Sequence, residues 1–353
     1  MKRIFIFLST FISLWSCELE SELEIGNYPV SKRLVLNSIL QVENDTNCLY
    51  INNSYPIFDP ANARKDRNSW MQTGHLDLII PSSPVSIIRN NIPETDVYAN
   101  PDNNIIYYVS PHLSANDIVQ VQAEHNGRVI SAKTTIPPTP QITRIDTTSF
   151  KRTIGQNYYY GYWWSNTDNY FRIKINIKDP AHIKNFYRLL VNVDVETHYD
   201  PEYTERYDIP VIESYTASGF ISEDPVITNG NPPEDNSDFS IITFEQNHFG
   251  VFTDEMFDGQ EYPLNVFIPS PYENYYGGYY FFTTKRKYTL KIRLQSLSED
   301  LYRYYTSLQK YTYYNDELIE PVRVYNNVEG GLGILGSINQ LTEVIWEEEY
   351  VKE

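Results

Sequence analysis

The chain has 353 residues, with 46 acidic against 28 basic side chains and a formal net charge of −18. That balance excludes a nucleic-acid partner, whose phosphates need a basic face, and makes an acidic lipid surface a poor partner too. Thirty-one tyrosines point instead to half-buried sheet faces and recognition surfaces, which use a flat apolar ring with a polar tip.

The chain starts Met1-Lys2-Arg3 and then runs apolar over 4–15, broken only by Ser9, Thr10 and Ser13. A helix of that length reaches about 18 Å, well short of a hydrocarbon core of roughly 30 Å. Residues 1–16 therefore have the form of a secretory signal peptide. Leu14-Trp15-Ser16-Cys17 resembles the lipobox of bacterial lipoproteins. The resemblance implies cleavage before Cys17 and a lipid on Cys17 as the membrane anchor, with Lys2 and Arg3 lost and the charge at −20. The stretch Glu18-Leu19-Glu20-Ser21-Glu22-Leu23-Glu24 carries self-repelling carboxylates, so 17–30 reads as an extended acidic tether. It also resembles the export signal of Bacteroidota surface lipoproteins, which implies a place on the outer membrane facing the exterior. Cys48 is the only other cysteine, so no disulfide can form within the mature chain. It reads as a small buried hydrophobe.

Candidate strands follow at 33–40, 48–52, 75–80, 84–89, 105–110, 118–124 and 128–135. The last two make the clearest hairpin, because Asn126-Gly127 tolerates the positive φ of a type I′ turn between alternating patterns. Seven short strands in this span predict an immunoglobulin-like β-sandwich over 31–136. Ile136-Pro137-Pro138-Thr139-Pro140 cannot sit in a central strand and predicts a linker at 137–141.

Residues 142–353 predict a larger antiparallel β domain. Phe171, Ile173, Ile175 and Ile177 alternate with polar residues, as do Tyr187, Leu189, Val191, Val193 and Val195, and Tyr288, Leu290, Ile292 and Leu294. Such alternation means one packed face and one wet face. The polar segment 219–238 reads as a long exposed loop. One amphipathic helix is expected at 299–314, capped by Ser296 or Ser298, with Glu299 and Asp300 at its positive end. Its stripe is Leu301, Tyr304, Tyr305, Leu308 and Tyr311. The fold class is thus mainly β, with one helix near the C-terminus.

The closing segment Glu320-Pro321-Val322-Arg323-Val324-Tyr325-Asn326-Asn327-Val328-Glu329-Gly330-Gly331-Leu332-Gly333-Ile334-Leu335-Gly336 resembles the terminal motif of a Bacteroidota lipoprotein family, domain of unknown function 4249. Further marks are Leu34-Val35-Leu36-Asn37, Gly127-Arg128-Val129-Ile130-Ser131-Ala132, Phe257-Asp258-Gly259 and Leu297-Ser298-Glu299-Asp300-Leu301-Tyr302-Arg303-Tyr304. The resemblance implies an accessory of a TonB-dependent outer-membrane transporter in nutrient uptake. It brings no catalytic residues.

Gly331-Leu332-Gly333-Ile334-Leu335-Gly336 matches G-x-G-x-x-G in form, but too little chain follows for the helix, strand and acid of a dinucleotide site. It reads as a glycine turn between strands. His75, His112, His125, His182, His198 and His248 are scattered and fit no zinc spacing. No catalytic residue, cofactor or metal is expected. Calcium binding is one reading of the acids near Asp254, Asp258 and 223–238, but they lack the spacing of a dedicated calcium loop, so solvated charge is the expected one.

Two aromatic clusters remain. One contains Tyr158, Tyr159, Tyr160, Tyr162, Trp163 and Trp164. The other contains Tyr275, Tyr276, Tyr279 and Tyr280 around a Gly277-Gly278 turn. One reading is cross-strand aromatic pairing. The other is a contact surface of Tyr162, Trp163, Trp164, Tyr275, Tyr276, Tyr279 and Tyr280 for a transporter rim, a glycan or a peptide. A non-enzymatic transporter accessory is the leading expectation, against a stand-alone glycan-binding or adhesive module or a surface hydrolase.

Overall fold

The computed structural model describes residues 32–54, 78–81, 84–159, 162–207, 210–229, 247–269, 283–313 and 323–351, with the backbone alone at 150–159, 162–168, 203, 207, 269, 311–313 and 350. It is mainly β. Strands β1 (Leu34–Gln41) and β2 (Thr46–Asn53) form the first hairpin. Then come β3 (Ser86–Arg89), β4 (Ile92–Pro93), β5 (Val97–Asn100), β6 (Ile105–Val109), β7 (Ile118–His125) and β8 (Arg128–Thr135). Asn126 and Gly127 have φ of 52° and 73°, the type I′ geometry expected between β7 and β8. The pair β3–β4 was not expected. Its turn is Asn90-Asn91, with φ of 51° and 67°, because asparagine also tolerates the left-handed region. Of the expected strand at 75–80, residues 75–77 lie outside the described residues, and Leu78 makes an isolated bridge to Asn52.

These strands form two facing layers. One is the sheet β4-β3-β7-β8. The other is β1, β2, β6 and β5, one end of a nine-stranded sheet. Leu34, Leu36, Leu49, Ile51 and Ile106 from one side meet Ile87, Val119, Val121 and Ile130 from the other, all at most 2 % exposed. Each such side chain contributes about 1.5–3 kcal/mol on burial. Cys48 alternates away from this core. It is half-buried on the opposite face of β2, across from Tyr107, which corrects the expectation of a buried thiol.

Past β8 the chain continues through β9 (Gln141–Tyr159), β10 (Tyr162–Lys178), β11 (Phe186–Tyr199), α1 (Pro201–Tyr207), β12 (Ile212–Ser218), α2 (Pro225–Thr228) and β13 (Val251–Thr253). It closes with β14 (Glu261–Pro269), β15 (Thr283–Leu297), α3 (Glu299–Tyr313) and β16 (Leu332–Val351). The sheet β14-β10-β9 packs on β11, β15 and their neighbours. Ile173, Ile175, Ile177, Leu189, Val191, Val193, Val195, Leu290, Ile292 and Leu294 fill the interface, so the expected alternation faces inward.

The segment 219–238 is not an exposed loop throughout. Ser222, Asp224, Val226, Ile227 and Thr228 are buried. Asp224 caps α2 by accepting from the Val226 N–H, and it also accepts from the Tyr262 hydroxyl at 2.6 Å. Capping makes these polar residues part of the core, while 230–238 lie outside the described residues.

The proline segment keeps out of the strands, but it is packed. Ile136 is fully buried, and the Pro137 carbonyl accepts from Asn339 Nδ2 at 3.1 Å. Strand β16 ties the two layered parts together. It pairs parallel with β1 from Leu332 to Ile338 and antiparallel with β15 from Ile338 to Val351.

Candidate functional site

Three loop carboxylates gather where β10, β13 and β14 end or begin. Oxygens of Asp179, Asp254 and Asp258 lie within 4.8 Å of one another. Asp179 and Asp254 are 4 % and 2 % exposed, whereas Asp258 faces solvent. Asp179 accepts from the Tyr187 hydroxyl at 2.7 Å, Asn185 Nδ2 at 3.2 Å and the Gly259 N–H at 2.9 Å. Asp254 accepts from the Asn185 N–H at 2.7 Å and its Nδ2 at 3.2 Å. Asp258 accepts from the N–H of His182, which has φ of 65°. Gly259, at φ +69°, approaches Ala181 so closely that a Cβ would sit 2.7 Å from the Ala181 methyl.

Burial pushes the Asp254 carboxyl above its ordinary pKa, and the neighbouring Asp179 adds to the effect. The Tyr187 phenol is also held up, first by burial and then by its bond to Asp179. Three hard oxygen donors at this spacing are the residues among those described that could hold a divalent cation. The hydrogen bonds to Asp179 and Asp254 give these carboxylates a second role, tying the 179–185 loop to 254–259. The expectation of solvated charge is therefore corrected at Asp254. Its partner Asp179 carried no sequence signal, because the two lie in separate loops far apart in the chain. Asp254 lines neither of the clefts below, so it is not placed to act on a substrate there.

The aromatic positions divide. Tyr162, Trp163 and Trp164 open β10, in register with Tyr159, Tyr158 and Asn157 of β9. From Tyr162 to Asn169, β10 pairs with β9 alone among the described residues, since β14 joins only from Tyr170 onward. Tyr275, Tyr276, Tyr279 and Tyr280 lie outside the described residues, as does the Gly277-Gly278 turn.

Among the described residues, a polar groove and an apolar cleft open on the surface. The polar groove, of about 410 Å³, runs between β8 and the segment before β16, lined by Ser131, Lys133, Thr135, Asp300, Asn327 and Glu329 among others. The apolar cleft, of about 370 Å³, includes Ile80, Pro84, Val85, Val97 and Tyr98. No helix among the described residues is long and apolar enough to cross a membrane.

The polar groove borders the glycine-rich segment, whose geometry is a joint. Asn327 Nδ2 donates to the Leu335 carbonyl and its Oδ1 accepts the Leu335 N–H, both at 2.9 Å. Glu329 exchanges backbone bonds with Ser131 of β8. A Cβ at Gly333 would overlap the Leu36 carbonyl of β1, and one at Gly336 would sit 2.8 Å from Leu301 of α3. A model of the family described as domain of unknown function DUF4249 matches residues 19–343. The chain belongs to that family. In this DUF4249 chain the expected glycine turn is confined to Gly330-Gly331, and Gly333 and Gly336 lie within β16. They are small because β1 and α3 press against them, and the described residues after them continue as strand, without the helix N-terminus that binds a phosphate. No curated protein and no solved structure matches the chain.

Proposed function

We propose that this DUF4249 chain is a lipid-anchored protein of the Bacteroidota outer membrane, facing the exterior. In this reading it is a non-enzymatic accessory of a TonB-dependent nutrient transporter. The observation that carries it is Leu14-Trp15-Ser16-Cys17 at the end of a short apolar run, just ahead of β1. A lipid on Cys17 would pull on β1, and β1 is hydrogen-bonded on both flanks, to β2 and β16. Such an attachment resists fraying in a way that a loose terminal strand does not.

The N-terminal layered part, read as immunoglobulin-like, would serve as spacer or dock. The β9–β10 ribbon, with Tyr162, Trp163 and Trp164, would supply the contact surface toward the transporter. Anchoring both partners in one membrane raises their effective concentration, so modest affinity suffices.

The test is a pull-down from gently solubilised native outer membranes through a C-terminal tag, with Cys17→Ala as the unanchored control. A stoichiometric barrel transporter, lost in the Cys17→Ala strain, is the expected result. Recovery of the lipoprotein alone, even after crosslinking, would sink the accessory role. A glycan array then separates a stand-alone binding module from a protein with no sugar ligand.

A further inference from the structure

The outer face of the nine-stranded sheet carries charges in alternating rows. Lys285 and Lys287 of β15 pair with Glu349 and Glu347 of β16 at 2.8 and 3.4 Å, and Lys291 pairs with Asp194 of β11 at 2.7 Å. Two cations on the same face depart from this pattern. Neither Arg188 of β11 nor Arg293 of β15 has a carboxylate within ion-pair distance among the described residues. In a chain with 46 acids against 28 bases, an arginine without an acid calls for an explanation.

Both guanidiniums are held in place by neutral groups. Arg188 Nε donates to the Phe249 carbonyl at 2.9 Å, and its guanidinium lies 4.9 Å over the Tyr305 ring of α3. Arg293 donates to Asn192 Oδ1 at 2.9 Å, and buried Asn192 is itself fixed by donating to Ser218 Oγ at 2.6 Å. Burial lowers the Arg188 pKa, and nearby Arg293 adds to that. The pair is thus a preorganised positive site whose forks can take anionic oxygens.

Gln295 supplies a second, separate observation. It is 5 % exposed and stands directly across from Arg188 in the β11–β15 register, with Arg293 two positions along its own strand. Its Nε2 donates to Gln340 Oε1 at 2.9 Å, but its own Oε1 has no hydrogen-bond partner. A buried carbonyl left without a donor is costly, and native structures rarely keep one. A cationic donor would be repelled by the two arginines, so a neutral donor such as a hydroxyl suits this oxygen.

We propose that Arg188, Arg293 and Gln295 form a binding site for a small hydroxylated anion on this face, beside α3. The guanidiniums take its anionic oxygens, and Gln295 Oε1 accepts from its hydroxyl. A sugar acid and hydrogen phosphate share this chemistry. The site does not rest on the accessory role, because it would bind equally in a protein with no transporter partner.

Thermal unfolding and calorimetric titration of the folded mature protein test it, at constant ionic strength, with sodium glucuronate, phosphate, acetate and glucose as probes. Glucuronate or phosphate should raise Tm by several degrees at saturation, while acetate and glucose at equal concentration leave it unchanged. Binding of glucuronate alone assigns the site to sugar acids, and binding of phosphate alone assigns it to phosphates. Arg293→Gln should weaken the bound anion at least about tenfold. Gln295→Met should weaken it too, with both variants shown to be folded by circular dichroism. Arg188→Gln is less suited, since Arg188 also packs under α3. Failure of both anions to bind the wild type, or binding indifferent to Arg293→Gln, overturns the proposal.

Discussion

Single residues in this protein are constrained by backbone geometry as much as by side-chain chemistry. Gly333 has φ of +113° and lies against the Leu36 carbonyl, whereas Gly127 has φ of +73° and nothing within 4 Å of a Cβ. Gly333→Ala should therefore cost at least about 2 kcal/mol, from strain plus backbone overlap. Gly127→Asn should cost only a few tenths, because asparagine accepts the left-handed region in open space. Urea unfolding of both variants gives the comparison, and equal losses would contradict the close-approach reading. Asp254 makes a different demand. Its pKa is raised in the fold by burial, so the native state holds the proton more tightly than the unfolded chain. Stability from this group is greatest at low pH and falls as pH rises from the ordinary aspartate value through the raised one. Asp254→Asn removes that dependence, because the amide oxygen can still accept from Asn185. Relative to the wild type, the variant should gain stability over the range that begins at the ordinary aspartate pKa of about 4 and runs upward. A gain that is flat or reversed across that range in thermal unfolding would show that the buried carboxylate is not the strained group.

At the scale of elements, what could be read from the sequence follows from how local the cause is. Strands β7 and β8 were legible because their turn, Asn126-Gly127, and their alternation lie in adjacent residues. The helix α3 was legible within a residue of its observed Glu299–Tyr313, since its buried Leu301 and Tyr305 repeat at helical spacing. Its cap was legible only in part. The Ser298 carbonyl accepts from the Tyr302 N–H, but its hydroxyl accepts from the Ser337 N–H of β16 instead of capping the helix. That partner lies far along the chain, so no local pattern could reveal it. The same holds for the glycines of β16, which look like turn residues until β1 and α3 are seen pressing on them. It also holds for Asp179 and Asp254, which meet only where two distant loops close on each other. Arg188 and Gln295 meet only across paired strands, where register brings together residues about a hundred positions apart. The α2 segment shows the opposite error. Pro, Asp and Asn suggested an exposed loop, yet Asp224 turns inward as a cap and carries Val226 and Ile227 into the core.

At the scale of the whole molecule, β16 is the element on which both layered parts depend. Its first half runs parallel to β1 and places Leu335 in the N-terminal core, and its second half pairs with β15 over the C-terminal core. Ser337 adds a bond from its hydroxyl to the Thr135 carbonyl at 2.8 Å, and Asn339 reaches Pro137. A parallel pairing between the first and last strands needs nearly the whole chain as its crossover, so it forms only when both ends are present. A fragment covering 31–136 would lack this strand and expose one flank of β1, an apolar edge open to association. Such a fragment should therefore aggregate or stay partly unfolded when made alone. Adding a peptide spanning 323–343 should restore a cooperative unfolding transition, by supplying both the β1 partner and the Asn327 lock. Circular dichroism and size-exclusion chromatography of the fragment with and without the peptide read this directly. A fragment that is monomeric and cooperatively folded without the peptide would mean that the N-terminal part is an independent domain. In that case β16 would only dock onto it, and the terminal glycine motif would serve to join two finished domains instead of completing the first.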